Sequence, residues 1–291
     1  MINLSVPVAG CMRWGKWGAN FTPDEYEQLI DQCLENGITS FDHADIYGDY
    51  STEEEFGEVL KNRSSLRNQI QLITKCGIQL KTNPRYEHLI KSYNTSRDHI
   101  IASVEYSLRA LGTDYIDVLL IHRPDPLMNP IEVADAIDLL KRQGKILQFG
   151  VSNFQPQQVD LLRKYISVDY NQIEISILNH LPFTNGILDH CLLHNIVPMA
   201  WAPLGGGIMS DDSHPRYRAI ISSAALLAEK YNTGINQILI AYLLKHPSGI
   251  VPVLGTTKIE RLIQAKEAKD ISLSREDWFS LYIASTGEDV A

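Results

Sequence analysis

The sequence has little of what disulfide-stabilised and membrane-spanning proteins depend on. It contains only four cysteines in 291 residues and no Cys-x-x-Cys pair, which excludes a disulfide framework and a zinc knuckle and suits a reducing cytoplasm. Its longest apolar stretch, residues 196–209, is interrupted by two prolines and three glycines, so it cannot form a membrane helix of about 20 residues. No basic segment precedes a long apolar core at the N-terminus, so no signal peptide is expected.

Positive charge is also in deficit. Lys and Arg number 26 against 35 Asp and Glu, which gives a formal net charge of −9. An acidic surface argues against binding to nucleic acid or to an anionic membrane, although it leaves room for a local basic pocket. Apolar residues make up 44% of the chain and charged residues 21%, which is the composition of a folded globular protein.

Short apolar runs rich in β-branched residues alternate with amphipathic helical patterns along the whole chain. After a first strand region near residues 8–15, the predicted strands are 39–41, 70–73, 116–121, 146–149, 170–173, 196–199 and 249–253. Runs that are apolar throughout indicate strands buried on both faces, as in a parallel sheet.

Three of the intervening helices carry clear start and stop signals. The start signals are Thr22 before Pro23, Ser96, and Pro130; the stop signals are Gly37, Gly112 and Gly144.

With no linker along the chain, the alternation of strands and helices predicts one β/α barrel domain over residues 1–291. An open doubly wound sheet is the alternative, but residues 8–15 lack its G-x-G-x-x-G pattern. The irregular stretches 79–96 and 205–218 are predicted to be long loops of the barrel.

Polar side chains follow successive predicted strands, where the reactive groups of a parallel barrel gather. A buried Lys75 needs a compensating carboxylate, and Asp42 is the candidate. Lys75 held as a cation would lower the pKa of a nearby Tyr47 phenol from about 10 toward the working pH. Tyr47 could then protonate a carbonyl oxygen, which His122 orients or helps to protonate. The alternative is a structural ion pair beside a tyrosine that lines a loop.

Other conspicuous residues receive different expectations. A metal site is suggested by His43, Asp45 and His122. The acid–base interpretation of Tyr47 and Lys75 already explains this group of polar residues, so no metal is expected. Cys76 is expected to be a small core residue. Trp14 and Trp17 either line the substrate entrance, or Trp14 covers the barrel rim. Four other histidines are expected at the surface or in packing: His180, His190, His194 and His246.

Six motifs occur in one chain and carry a resemblance. They are Phe-Asp-His-Ala-Asp-Ile-Tyr-Gly at 41–48, Thr-Lys-Cys-Gly at 74–77, Arg-Ala-Leu-Gly-Thr-Asp-Tyr-Ile-Asp at 109–117, Leu-Ile-His-Arg-Pro-Asp at 120–125, Gly-Val-Ser-Asn-Phe at 150–154 and Trp-Ala-Pro-Leu at 201–204. Together they resemble the signature of the aldo-keto reductases over nearly the whole chain. Residues 93–96 and 122–126 are most similar to the YdhF-like bacterial oxidoreductase branch.

The resemblance implies a single (β/α)8 TIM barrel with long loops on the C-terminal face, using NADPH. Its implied catalytic residues are Asp42, Tyr47, Lys75 and His122. Tyr47 would be the general acid, and Asp42 would hold Lys75. The implied contacts to the nicotinamide are Ser152, Asn153 and Gln172 at its carboxamide and Trp201 stacked on its ring.

Two glycine-containing segments are the candidates for the phosphate end of the dinucleotide. Leu204, Gly205 and Gly207 belong to a glycine run whose amides could approach a pyrophosphate, although such runs are usually flexible loops. Gly255, Thr256, Thr257 and Lys258 precede a helix and, with Arg261, make an anion site. The alternative is a solvated helix face, which the family resemblance overrides. Arg261 is expected to select NADP over NAD, and Gln264 to contact the adenine.

These expectations amount to an NADPH-dependent reduction of a small aldehyde or ketone by a cytoplasmic monomer or small homo-oligomer, with no nucleic-acid or membrane partner. Two alternatives come from other classes of protein. One is an NADPH-binding regulatory or interaction protein with little turnover. The other is a metal-assisted hydrolase, which would be abolished by chelators and indifferent to NADPH.

Overall fold

The protein is described by a computed structural model that covers residues 2–82, 88–206 and 215–291. Eight parallel strands close into a barrel. They are β1 Val8–Gly10, β2 Ser40–Asp42, β3 Gln71–Cys76, β6 Ile116–Ile121, β7 Ile146–Ser152, β8 Tyr170–Glu174, β9 Val197–Trp201 and β10 Val251–Leu254. Around the barrel they are hydrogen-bonded in the order β1-β10-β9-β8-β7-β6-β3-β2. Two further strands, β4 Ile78–Gln79 and β5 Ser92–Tyr93, pair antiparallel outside the barrel.

Helices follow the barrel strands and surround them. They are α1 Pro23–Glu35, α2 Thr52–Asn62, α3 Arg97–Leu111, α4 Pro130–Arg142, α5 Pro156–Arg163, α6 Ile187–His194, α7 Pro215–Lys230, α8 Ile235–Leu244, α9 Ile259–Glu267 and α10 Arg275–Thr286. Thr22 caps α1 in a capping box with Glu25, as its sequence signal predicts. Ser96 stands at the N-cap of α3 without a capping hydrogen bond from its side chain. Gly112 ends α3 at a φ of +65°, a conformation that costs glycine little.

The predicted (β/α)8 barrel is confirmed, and the closed parallel order rules out the open doubly wound sheet. Each predicted strand run overlaps an observed strand. The prediction for 79–96 and 205–218 needs correction where they are described: the first contains the β4–β5 pair, and the last residues of the second begin α7. Residues 83–87 and 207–214 lie outside the described residues. The assignment of residues 1–291 to a single domain stays a prediction.

Apolar side chains fill the barrel interior and form a cluster of their own. Three larger apolar clusters lie between the strands and the helices. Val8, Ile73, Leu120, Tyr170 and Met199 belong to the interior cluster. Leu4 from the N-terminal segment belongs to this cluster, and Ile2 and Val6 pack against it. The interior is therefore a packed apolar layer, on which a second layer of residues can be supported from below. Among the described helices, none is long and apolar enough to cross a membrane.

The contact between α2 and α3 depends on a glycine, and this gives a test of the fold. A Cβ added at Gly57 would lie 1.9 Å from the backbone oxygen of Ala110. We therefore expect Gly57→Ala to lower the free energy of unfolding by about 1–3 kcal/mol. Helix propensity alone predicts the opposite sign, a gain of up to about 1 kcal/mol. Urea unfolding of both forms measures the difference.

The neighbouring exposed residue supplies the control for this test. Glu58→Ala, on the solvent side of α2, should change the free energy of unfolding by less than about 0.5 kcal/mol. A Gly57→Ala variant as stable as the parent would show that α2 and α3 do not pack this closely.

Candidate active site

A layer of polar residues lies above the apolar interior at the C-terminal end of the barrel. Because alternate side chains of a strand share a face, a residue two positions beyond an interior residue also points inward. Lys75 follows the interior residue Ile73 in this way on β3. The same spacing relates Leu120 to His122, Tyr170 to Gln172 and Met199 to Trp201. Strand alternation thus brings residues that are far apart in sequence into one site.

The buried ammonium group of Lys75 is the centre of this layer. Its Nζ donates hydrogen bonds to the Asp42 carboxylate at 2.7 Å, to the backbone oxygen of His43 at 2.7 Å, and to the Tyr47 hydroxyl at 3.1 Å. The Lys75 side chain has no solvent exposure and that of Asp42 is 4% exposed. A buried cation is tolerated here because a carboxylate and two further oxygens replace its hydration.

The surroundings of Lys75 keep it protonated. Burial alone lowers the pKa of an ammonium group, but the charges and hydrogen bonds of Asp42 and Tyr47 outweigh burial and raise the pKa of Lys75. Lys75 therefore remains a cation at neutral pH. The predicted neighbourhood of Asp42, Lys75 and Tyr47 is present in the structure; their catalytic roles stay a prediction.

The prediction that the pKa of the Tyr47 phenol is lowered is wrong. Burial, the largest contribution, raises the pKa of Tyr47, and the lowering by the Lys75 cation does not fully offset it. Tyr47 is 8% exposed, so its phenolate would lose most of its hydration. The net pKa lies above the usual value, and Tyr47 is consequently a protonated hydrogen-bond donor at neutral pH.

Two histidines beside this centre are neutral. His122 lies near the ring of Tyr47, with 6.0 Å between the ring centroids, and burial followed by the charge of Lys75 lowers its pKa well below the usual value. His43 points away from the barrel interior and packs on Phe56, with 4.6 Å between centroids. Burial and Lys75 lower the pKa of His43 to about 3.

The hydrogen bonds of Gln172 and Asn153 extend the site across the top of the barrel. Gln172 donates to the second oxygen of the Asp42 carboxylate at 2.8 Å. Asn153, at a φ of +61°, donates to the Ser152 hydroxyl at 2.8 Å and accepts a hydrogen bond from the Trp201 indole N–H at 3.0 Å. Ser152, Asn153 and Trp201 are thus held by each other, and Gln172 is held by Asp42.

The residues predicted to bind phosphate lie in loops after the neighbouring strands β9 and β10. Leu204 and Gly205 belong to a turn in which the Gly205 N–H donates to the backbone oxygen of Ala202 at 2.8 Å. Gly255, Thr256, Thr257 and Lys258 connect β10 to α9, and Arg261 and Gln264 follow in α9. In the described part of the chain, neither Lys258 nor Arg261 forms an ion pair. Gly207 lies outside the described residues.

The two tryptophans after β1 have different surroundings. Trp14 is fully buried and donates its indole N–H to the backbone oxygen of Thr256 at 3.1 Å, so it supports the β10–α9 loop and does not line the entrance. Trp17 is 39% exposed and packs near the Tyr47 ring, with 6.1 Å between centroids. Trp17 therefore borders the approach to Tyr47.

Cys76, the possible metal ligands and Arg123 lie around the same end of the barrel. Cys76 is buried, and burial raises the pKa of its thiol well above the usual value, which agrees with a core residue. Among the described residues, His43, Asp45 and His122 do not converge as a three-ligand group. Arg123 received no role from its sequence, yet its guanidinium lies 5.7 Å from the centroid of the Trp201 ring. Its position directly after His122 is the sequence signal that could have identified it as a residue of the site.

Comparison with known proteins shows similarity over the whole barrel. The sequence matches the model described as the Aldo/keto reductase family over residues 8–284. It is 42% identical to the oxidoreductase YdhF of Escherichia coli, over 97% of this chain and 94% of YdhF. It is 40% identical to a 6-dehydroglucose reductase of Agrobacterium fabrum, over 100% of this chain and 97% of that protein. The matched residues include every barrel strand.

A solved structure shows the same architecture. The thermostable aldo-keto reductase Tm1743, solved in complex with the inhibitor epalrestat, superimposes with a TM-score of 0.80 and 26% identity. The similarity covers 97% of this chain and 95% of that one. The likeness therefore extends through the barrel and its surrounding helices.

The low pKa of His43 predicts a specific pH dependence of stability. Below a pH of about 6.5 the unfolded chain binds a proton at this imidazole and the folded chain does not. The free energy of unfolding therefore decreases as the pH falls. Between pH 7 and pH 5 this loss amounts to about 2 kcal/mol. We expect His43→Leu to remove that part of the pH dependence, as measured by denaturant unfolding at both pH values.

A variant that keeps the imidazole controls for lost packing. Phe56→Leu disturbs the ring that contacts His43 and should lower stability by a similar amount at pH 7 and pH 5. An undiminished pH dependence in His43→Leu would mean that His43 is protonated in the folded protein.

Proposed function

Because the chain belongs to the aldo/keto reductase family, we propose that it reduces the carbonyl group of a small aldehyde or ketone to an alcohol with NADPH. The observation that carries this proposal is the buried ammonium of Lys75, held between the Asp42 carboxylate and the Tyr47 hydroxyl. This arrangement lies at the end of the barrel where active sites of this fold form. It provides a proton donor beside a fixed positive charge.

Tyr47 is the proton donor of the proposed reaction. When bound, NADPH supplies the hydride for the carbonyl carbon. Tyr47 remains protonated at neutral pH, so its hydroxyl proton can be transferred to the oxygen that gains charge. The phenolate left on Tyr47 would lie 3.1 Å from the Lys75 ammonium, which stabilises it more strongly than the neutral phenol. Asp42 positions Lys75 and keeps it charged.

His122 orients the substrate oxygen in this proposal. A neutral imidazole carries one N–H donor, which can hydrogen-bond to a carbonyl oxygen. Burial and the nearby cation keep His122 in the neutral form. The site therefore contains one buried cation, at Lys75, and a neutral donor beside it.

The residues at the top of the barrel fit the amide and ring of a nicotinamide. A carboxamide needs both donors and acceptors, and the Ser152 hydroxyl and the Gln172 amide provide both. Gln172 is oriented by Asp42, and the ring of Trp201 is fixed by its bond to Asn153, so it can present a flat face for stacking. Hydrogen bonds within the chain thus prepare these groups before any ligand binds.

The β10–α9 loop fits the phosphate groups. Lys258 and Arg261 stand at the start of α9, where the backbone N–H groups and the helix dipole favour an anion. We assign Arg261 to the 2′-phosphate and Gln264, three residues later, to the adenine. The remaining proposed cofactor contacts are Leu204, Gly205, Gly207, Gly255, Thr256 and Thr257.

The relatives indicate a substrate to test, and the cysteines indicate where in the cell the protein works. A relative is named a 6-dehydroglucose reductase, so a sugar aldehyde belongs in the first substrate panel. The four cysteines are free and buried, which supports a cytoplasmic location. A monomer or small homo-oligomer stays the predicted assembly. No observation favours a regulatory NADPH-binding protein, because all four proposed catalytic side chains lie together at the C-terminal end of the barrel.

Replacing Tyr47 tests the proton-transfer role. Tyr47→Phe should lower kcat by about 10²–10⁴-fold, because proton donation is lost in the transition state. The Kd for NADPH should stay unchanged, since the proposed cofactor contacts do not include this phenol. The decay of reduced-nicotinamide absorbance measures turnover, and tryptophan fluorescence measures binding.

The neighbouring Tyr50 is the matched control. Its hydroxyl accepts a hydrogen bond from the Leu80 N–H at 3.1 Å, so Tyr50→Phe removes a phenolic oxygen from the same loop. Turnover should survive in Tyr50→Phe. Full activity in Tyr47→Phe, or loss of NADPH binding in it, would contradict the assignment.

Replacing Arg261 tests the selection of NADPH. A charged hydrogen bond contributes about 1.5–3 kcal/mol, so Arg261→Gln should raise the KM for NADPH about tenfold to a hundredfold. The KM for NADH should not change, because NADH lacks the 2′-phosphate. Steady-state kinetics with both dinucleotides give the comparison. Lys269→Gln, at an exposed lysine in the turn that follows α9, controls for the loss of one positive charge. An equal rise in both KM values would refute the assignment.

A further inference from the structure

A second cluster of potential ligands lies outside the barrel, on helices that play no part in the proposed reaction. His190 and His194 are four residues apart on α6, so they share one face of the helix. Asp160 projects toward them from α5. The sequence predicts only surface or packing roles for these histidines.

The three side chains are close enough to share one ion. One ligand atom from each lies within 4.8 Å of the others. An Asp160 carboxylate oxygen is 2.8 Å from His190 Nε2 and 3.6 Å from His194 Nε2. Two ligands at about 2.1 Å from a tetrahedral zinc ion are about 3.4 Å apart, between these two distances. Small side-chain rotations would therefore bring the three atoms to ligand positions.

The exposure of the cluster allows an ion and its waters to enter. The side chain of His190 is 10% exposed, that of His194 25%, and that of Asp160 53%. Two imidazole nitrogens and one carboxylate suit Zn²⁺, whereas Mg²⁺ prefers oxygen ligands alone. The open side leaves a fourth position for water.

One nearby cation opposes binding. Arg163 Nη1 lies 3.7 Å from the same Asp160 oxygen, so it competes for the carboxylate and repels a divalent ion. Its side chain is 29% exposed, so solvent weakens both effects.

From this geometry we propose that Asp160, His190 and His194 form a binding site for a single zinc ion that links α5 to α6. Each histidine binds through an unprotonated ring nitrogen, so His190 Nε2 exchanges its contact with Asp160 for the ion. The ion joins two helices of the folded state and thereby stabilises it. The site is independent of the proposed reductase chemistry.

Zinc titration of the full chain without a histidine tag tests the site. We expect isothermal titration calorimetry with ZnCl₂ to show one ion per chain and zinc to raise Tm, while MgCl₂ does neither. Loss of a hydrogen-bond partner of a metal ligand already weakens metal binding about 10–100-fold, so removing a ligand itself should weaken zinc binding at least about tenfold. His194→Ala and Asp160→Asn should both show this loss, together with loss of the zinc-dependent Tm shift.

Two further variants sharpen the result. His99→Ala removes a partly exposed histidine from another helix, α3, and should bind zinc as the parent does. Arg163→Gln removes the opposing cation and should bind zinc more tightly. The proposal is overturned if the parent binds no zinc at this stoichiometry, or if His194→Ala and Asp160→Asn bind it with unchanged affinity. Neither outcome bears on carbonyl reduction, which the Tyr47 variant tests separately.

Discussion

The carboxylate of Asp42 is the interaction on which the rest of the site depends. One oxygen accepts a hydrogen bond from the Lys75 ammonium and the other from the Gln172 amide. The first contact keeps a fully buried lysine charged, which burial alone would oppose. The second orients an amide that we assign to the nicotinamide. A single buried anion thus links the proton-donating half of the site to the cofactor-binding half.

The residues that stabilise the barrel and the residues of the candidate site lie at different levels along the same strands. The lower interior is a packed layer of apolar side chains, closed by residues of the N-terminal segment. The layer above consists of polar side chains from the same strand faces, supported from below by close packing. Because the strands are parallel, all their C-terminal ends meet at one end, and residues as distant as Asp42 and Gln172 become neighbours. The loops then need only complete a site that the strands already hold in place.

Several sequence predictions needed the packed structure for their correction, and the reasons are physical. The Lys75 cation does act on Tyr47, but desolvation of the phenol is larger, and its size depends on packing around the ring. From the sequence, Trp14 is equally consistent with lining the entrance and with covering the barrel rim, because an aromatic residue in a loop has the same local pattern in either place. The structure buries it against the β10–α9 loop. The His190–His194 spacing was visible in the sequence, but Asp160 belongs to another helix, and no local pattern joins them.

Local sequence patterns are enough to predict the alternation of strands and helices, the capped start of α1, the stop of α3 and the order of polar residues at strand ends. These follow from short-range rules: hydrophobic periodicity, capping and the conformational freedom of glycine. Packing of the strands and helices against one another sets which of those polar residues touch, which ionisable groups lose their hydration, and which charges lie within a few ångströms. Electrostatic and desolvation effects depend on distances through space between separate strands and helices, and the spacing of residues along a chain does not contain those distances.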